Sequence, residues 1–135
     1  MIQFTIQGEP KGKGRHRTNK NGHTYTPQST VDYEKLVQQE FMIAGQKKLE
    51  GDVSLDAYIS ARFTIPKSTS KKKKAKMLSG EILPRKIDCD NIAKIVLDAL
   101  NGVAYNDDRQ VVNLTVSKIY SEKPEITVRI ISLER

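Results

Sequence analysis

A chain of 135 residues has room for one hydrophobic core of ordinary size and not for two. Its 23 Lys and Arg exceed its 16 Asp and Glu, leaving a net charge of +7 and an isoelectric point near 9.5, so a polyanion, nucleic acid first, is the expected partner. A single cysteine, Cys89, excludes an internal disulfide, and no apolar run approaches the roughly 20 residues of a membrane span. Met1 to Ile6 lacks the basic start and long apolar stretch of a signal peptide, which makes the cytoplasm the expected location.

Ile2, Phe4 and Ile6 alternate with polar residues, the period of a half-buried strand that Gly8 and Pro10 stop. Residues 11–26 are polar and rich in cations (Lys11, Lys13, Arg15, Arg17 and Lys20), with no apolar period. They read as a flexible basic loop, either solvated or serving as a phosphate-contacting arm. Thr30 is placed to cap a helix of about Thr30 to Lys48, with Tyr33, Leu36, Val37, Phe41 and Ala44 on one face and Gly45 as an early stop. Val53, Leu55, Ala57, Ile59, Ala61, Phe63 and Ile65 then take every second place in a long strand closed by Pro66.

Ser68 or Ser70 can cap a short helix through the lysine-rich segment 68–80, ended by Gly80. Lys72 and Lys73 stand in its run of cations, which is either a solvated face or a DNA backbone contact. A helix starting near Asp88 or Asp90 follows. Ile92, Ile95, Val96 and Ala99 form its core face, and Asp90, Lys94, Asp98 and Asn101 form a polar stripe. Leu97 lies near that stripe and hints at contact with a partner subunit. After Gly102 and an Asn106-Asp107-Asp108 turn, Val112, Leu114 and Val116 and then Ile126, Val128 and Ile130 predict two strands in an antiparallel hairpin. The order predicts an α+β domain over 1–135, with a mixed, mostly antiparallel sheet and helices packed on one side.

The chemistry gathers at residues 86–110. If the turn folds back toward the helix start, Asp88, Asp90 and Asp107 or Asp108 can meet, and such a group of carboxylates calls for a hard cation, Mg²⁺ or Mn²⁺. An ion of that kind keeps open positions for a phosphate, and Lys94 can hold the scissile phosphate or offset transition-state charge. The plain structural alternative needs no metal: Asp88 and Asp90 cap the helix, Lys94 pairs with Asp90 and Asp98 at spacing four, and Asn106-Asp107 makes a turn. An EF-hand is excluded, because counting from Asp88 puts Ile92, Ala93 and Ala99 where an oxygen ligand, Gly and Glu belong. Cys89, with no second cysteine and both histidines far away, reads as a small apolar residue.

The run Asp88-Cys89-Asp90-Asn91-Ile92-Ala93-Lys94, with Asp98-Ala99-Leu100-Asn101-Gly102, Tyr105, Asp107-Asp108 and Gln110-Val111 after it, resembles the signature of the RusA family of Holliday junction resolvases of bacteria and their phages. The resemblance implies a homodimeric, Mg²⁺-dependent endonuclease, with Mn²⁺ as a possible substitute, that cuts four-way DNA junctions by paired symmetric nicks. It gives Asp88, Asp90 and Asp108 the places of the metal-binding catalytic aspartates and Lys94 that of the essential lysine, with Asp107 a weaker ligand. Lys11, Lys13, Arg15, Arg17 and Lys20 have the character of the family's DNA-contacting segment. Lys72, Lys73 and Lys86 are assigned to DNA by charge alone. The expected partners are branched DNA and a second copy of the chain, without membrane or small-molecule cofactor. The alternatives are a branched-DNA binding protein without turnover and a nuclease directed to flaps or forks; a plain RNA-binding domain ranks below both, with aromatics only 6% of the chain.

Overall fold

Alternating burial along three strands builds the sheet. The computed structural model describes residues 1–134, with strands β1 (Ile2–Gln7), β2 (Arg17–Thr18), β3 (Thr24–Tyr25), β4 (Leu55–Thr64), β5 (Val111–Ser121) and β6 (Glu125–Ser132). The helices are α1 (Gln28–Ile43), α2 (Lys71–Leu78) and α3 (Cys89–Leu100), and a 3-10 turn covers Asp108–Gln110. The main sheet runs β1-β6-β4-β5, antiparallel except for the β4–β5 pair, and β2–β3 form a separate small hairpin. The α+β reading with a mixed, mostly antiparallel sheet holds.

Cross-strand rows explain the order. Ile6, Ile126, Ala61 and Lys118 lie side by side, as do Phe4, Val128, Ile59 and Val116. Apart from Val116 and Lys118 on the edge strand β5, these residues are buried, on the face that the helices cover. From α1, Phe41 meets Phe4 edge to face at 5.7 Å between ring centroids, and α3 contributes Ile92, Ile95, Val96, Ala99 and Leu100 to the same core. Deleting one such side chain, Ile95→Ala for instance, removes about 2–5 kcal/mol.

The hairpin expected between the last two strands does not form. Residues 122–124 do link them, but β4 lies between β5 and β6. The reason is burial: Ile126, Val128 and Ile130 are fully covered and need a neighbour on each side, whereas Val112 and Leu114 are 58% and 46% exposed and suit an edge.

Three local expectations also change. Thr30 does not cap α1, which starts after Pro27 and ends at Ile43 before Gly45 in the left-handed region; Thr30 is buried, and its hydroxyl accepts the Gly14 N–H at 3.2 Å. Within the basic segment, Asn19 and Gly22 close a turn between β2 and β3, so part of the loop is a hairpin. Leu97 belongs to the chain's own core at 9% exposure.

Candidate active site

Helix α3 carries its acids at two ends. At the first, Asp88 occupies the cap position and Asp90 the first turn, and both are exposed. The Asp88 side chain makes no capping hydrogen bond. Its carboxylate is therefore not consumed by holding the helix, contrary to the purely structural alternative. Cys89, beside them, is an exposed free thiol rather than a packed apolar residue.

The turn that delivers these acids is strained and is held by two neighbouring segments. Ile87 sits at φ 58°, a conformation costly for a β-branched residue, of order 1–3 kcal/mol. The Lys118 ammonium on β5 donates to the Ile87 carbonyl at 2.9 Å and to the Lys86 carbonyl at 3.4 Å. The chain at Gly12 also passes so close that a Cβ there would stand 2.5 Å from Ile87 Cγ2, and the next residue, Lys13, donates its N–H to the Asn91 carbonyl at 2.9 Å.

From that point the side chain of Lys13 reaches the last turn of α3. Its ammonium lies 3.0 Å from Glu34 on α1 and 3.2 Å from Asp98 on α3. Burial is the largest single influence and works against its charge, but the hydrogen bonds to Glu34 and Asp98 and the charges of those carboxylates together outweigh it and raise its pKa above the ordinary lysine value. Lys13, assigned to DNA from sequence, is thus an internal clasp between two helices. Beside it Lys13, Gly14, Arg15, His16, Asn91, Lys94 and Asp98 line a cleft of about 440 Å³. Lys94 is exposed, and among the described residues it pairs with neither Asp90 nor Asp98. Its ammonium is available to an anion.

The other end of α3 is closed by Tyr105, whose hydroxyl donates 2.6 Å to the Leu97 carbonyl, one of the last of the helix, while Gly102 at φ 79° turns the chain. Buried Gln110 fixes the acidic turn: its side-chain oxygen accepts from the Asn106 and Asp107 N–H groups, and its amide nitrogen donates to Gly51 and Val53. Asp107 caps this turn and pairs with Arg109 at 3.2 Å; the Arg109 backbone N–H is the main cause that lowers its pKa. Asp108 is the reverse case. Burial, then the neighbouring Asp107 and Asp98, raise its pKa, so this carboxyl is the one that a cation would relieve.

The expected meeting of Asp88, Asp90 and Asp108 is not seen within one chain: among the described residues no three acidic, His or Cys side chains stand together as a metal-holding group. Asp98, which influences Asp108, is eight residues beyond Asp90, about 12 Å along the helix. Of the other cations, Lys11, Arg15, Arg17 and Lys20 are exposed around the first end of α3 and the small hairpin, and Lys86 is exposed two residues before Asp88. Lys72 and Lys73 are exposed on α2, which Ser70 caps and which buries only Met77. Asp98 and Glu34 are the participants that sequence reasoning missed as site residues. Asp98 was visible on the polar stripe, but only the fold shows that Lys13 comes to it.

These features define a class: a small, basic α+β protein that presents free acids and a free lysine beside a cationic surface. The profile of the family described as Endodeoxyribonuclease RusA matches residues 7–131, and this chain belongs to that family. It is also similar to the Uncharacterized protein YqaN of Bacillus subtilis (strain 168), with 41% identity over 137 residues, 96% of this chain and 94% of the relative. The family implies endodeoxyribonuclease activity on branched DNA junctions. No helix is long and apolar enough to cross a membrane among the described residues.

Proposed function

We propose that this protein is a Mg²⁺-dependent endonuclease that resolves four-way DNA junctions by paired symmetric nicks, acting as a homodimer. Besides family membership, the observation that carries the reading is Asp88: it holds a helix cap position yet leaves its carboxylate unspent, with exposed Asp90 beside it and exposed Lys94 one turn beyond Asp90.

Asp88 and Asp90 offer the hard oxygen ligands that Mg²⁺ takes in ones and twos, leaving positions for water and phosphate. A Mg²⁺ ion held by these carboxylates would make its bound water more acidic and would offset charge at the leaving oxygen. Lys94 draws the scissile phosphate toward these acids and balances charge that develops on it. Arg15 and His16, on the wall of the same cleft, steer the backbone into it, and Lys11, Arg17, Lys20, Lys72, Lys73 and Lys86 extend the phosphate-binding surface. Asp108 is included in the metal-binding set. Because α3 separates it from Asp90 within a chain, Asp108 of one copy joins Asp88 and Asp90 of the other. A two-fold pair then presents two sites to two opposing strands of a near two-fold junction.

A panel of labelled four-way junctions, flaps, forks and plain duplex tests this reading with wild type and Asp90→Asn. Preferential cutting of the junction, with Asp90→Asn still binding but inert, is the expected result. Equal cutting of flaps or forks would redirect the substrate, and binding without turnover would leave a branched-DNA binding protein.

A further inference from the structure

We infer that Lys118 is a positioning residue of the active site, which locks the turn that aims Asp88; this rests on the nuclease reading for its effect on cleavage. Lys118 lies on the helix-covered face of β5, at the end of the row Ile6, Ile126, Ala61. Every other member of that row is buried and apolar. Lys118 itself is half-buried, and its ammonium finds two successive carbonyls, Lys86 and Ile87, immediately before Asp88.

Those carbonyls belong to the one non-glycine residue with positive φ among the described residues and its neighbour. A β-branched side chain at φ 58° relaxes toward negative φ unless its surroundings prevent it, and relaxation there would turn the direction of the chain entering α3. Gly12 leaves space for the Ile87 side chain, and Lys118 fixes the carbonyls. The Asn91 and Ile92 amides close the first turn of α3 on the Asp88 carbonyl, both at 3.1 Å, so the orientation imposed at Ile87 passes directly to Asp88 and Asp90. An inward lysine on an edge strand also deters edge-to-edge pairing. That role requires a charge but no contact with residues 86 and 87.

The test uses the full chain as wild type, Lys118→Met and Lys118→Arg, with two readouts: amide hydrogen exchange, and the junction cleavage rate at saturating substrate. In Lys118→Met the Asn91 and Ile92 amides are expected to exchange at least tenfold faster while the amides of Ile95 to Leu100 keep their rates. Cleavage falls at least tenfold, junction affinity stays within about twofold, and the Mg²⁺ concentration for half-maximal rate rises. Lys118→Arg, which can still donate to both carbonyls, restores the exchange pattern and most of the rate. Unchanged exchange and cleavage in Lys118→Met would overturn the inference, and so would faster exchange throughout the sheet, which marks a general stabilising role. If wild type cuts no branched DNA, the nuclease reading fails by itself, and the exchange pattern still decides whether Lys118 holds the turn.

Discussion

The Lys13 ammonium lies 3.2 Å from the Asp98 carboxylate and so ties the start of the basic segment to the helix that bears the acids. With Glu34 as its second partner, this lysine is largely covered by protein. Lys13→Met should therefore destabilise the fold by about 1–2 kcal/mol, more than an exposed ion pair is worth, because two partly buried carboxylates lose their cation. Urea unfolding measures this directly. An exposed cation such as Lys20, changed in the same way, should leave stability within about 0.5 kcal/mol.

Asp108 supplies a prediction of opposite sign. Its folded-state pKa is raised by burial and by its acidic neighbours, above the 3.8 of a free carboxyl. Its ionisation therefore opposes folding, with the full cost present above the raised value and none below about pH 4. Asp108→Asn should show a higher Tm than wild type at pH 7 and lose cleavage. The Tm advantage should shrink as pH falls toward 4. An Asn variant less stable than wild type at pH 7 would contradict this account of the site's electrostatics.

Much of this was legible along the chain because the signals were local. The alternation from Leu55 to Phe63, the polar stripe on α3 and the Ser70 cap each depend on residues a few positions apart. What was not legible depended on distant partners. Lys118 meets the Ile87 carbonyl across 31 residues of sequence, a contact that no local pattern announces. Likewise Thr30 looked like a cap until Gly14, sixteen residues earlier, supplied the N–H that its hydroxyl takes. Lys13 looked like its cationic neighbours, and only packing against α1 and α3 distinguishes it.

Gln110 bonds four backbone groups from a buried position. Gln110→Leu keeps the bulk but leaves those groups without their partner, so a loss of about 2–4 kcal/mol is expected in denaturant unfolding. Cleavage should fall with it, since the adjacent Asp107-Asp108 turn loses its anchor.

Sharing of acids between copies can be tested by complementation. Asp90→Asn and Asp108→Asn should each be inactive alone. A co-expressed pair should regain single-strand nicking, because one site of the mixed dimer then has both Asp90 and Asp108 intact. No recovery from stably mixed dimers would place both acids of each site on one chain.

The central claim is tested most directly by incubating the purified protein with an end-labelled synthetic four-way junction, with and without Mg²⁺, and resolving the products on a denaturing gel. Paired nicks, symmetric across the junction and dependent on the ion, are the predicted result. A stable protein–junction complex with no cuts under Mg²⁺ or Mn²⁺ would contradict it.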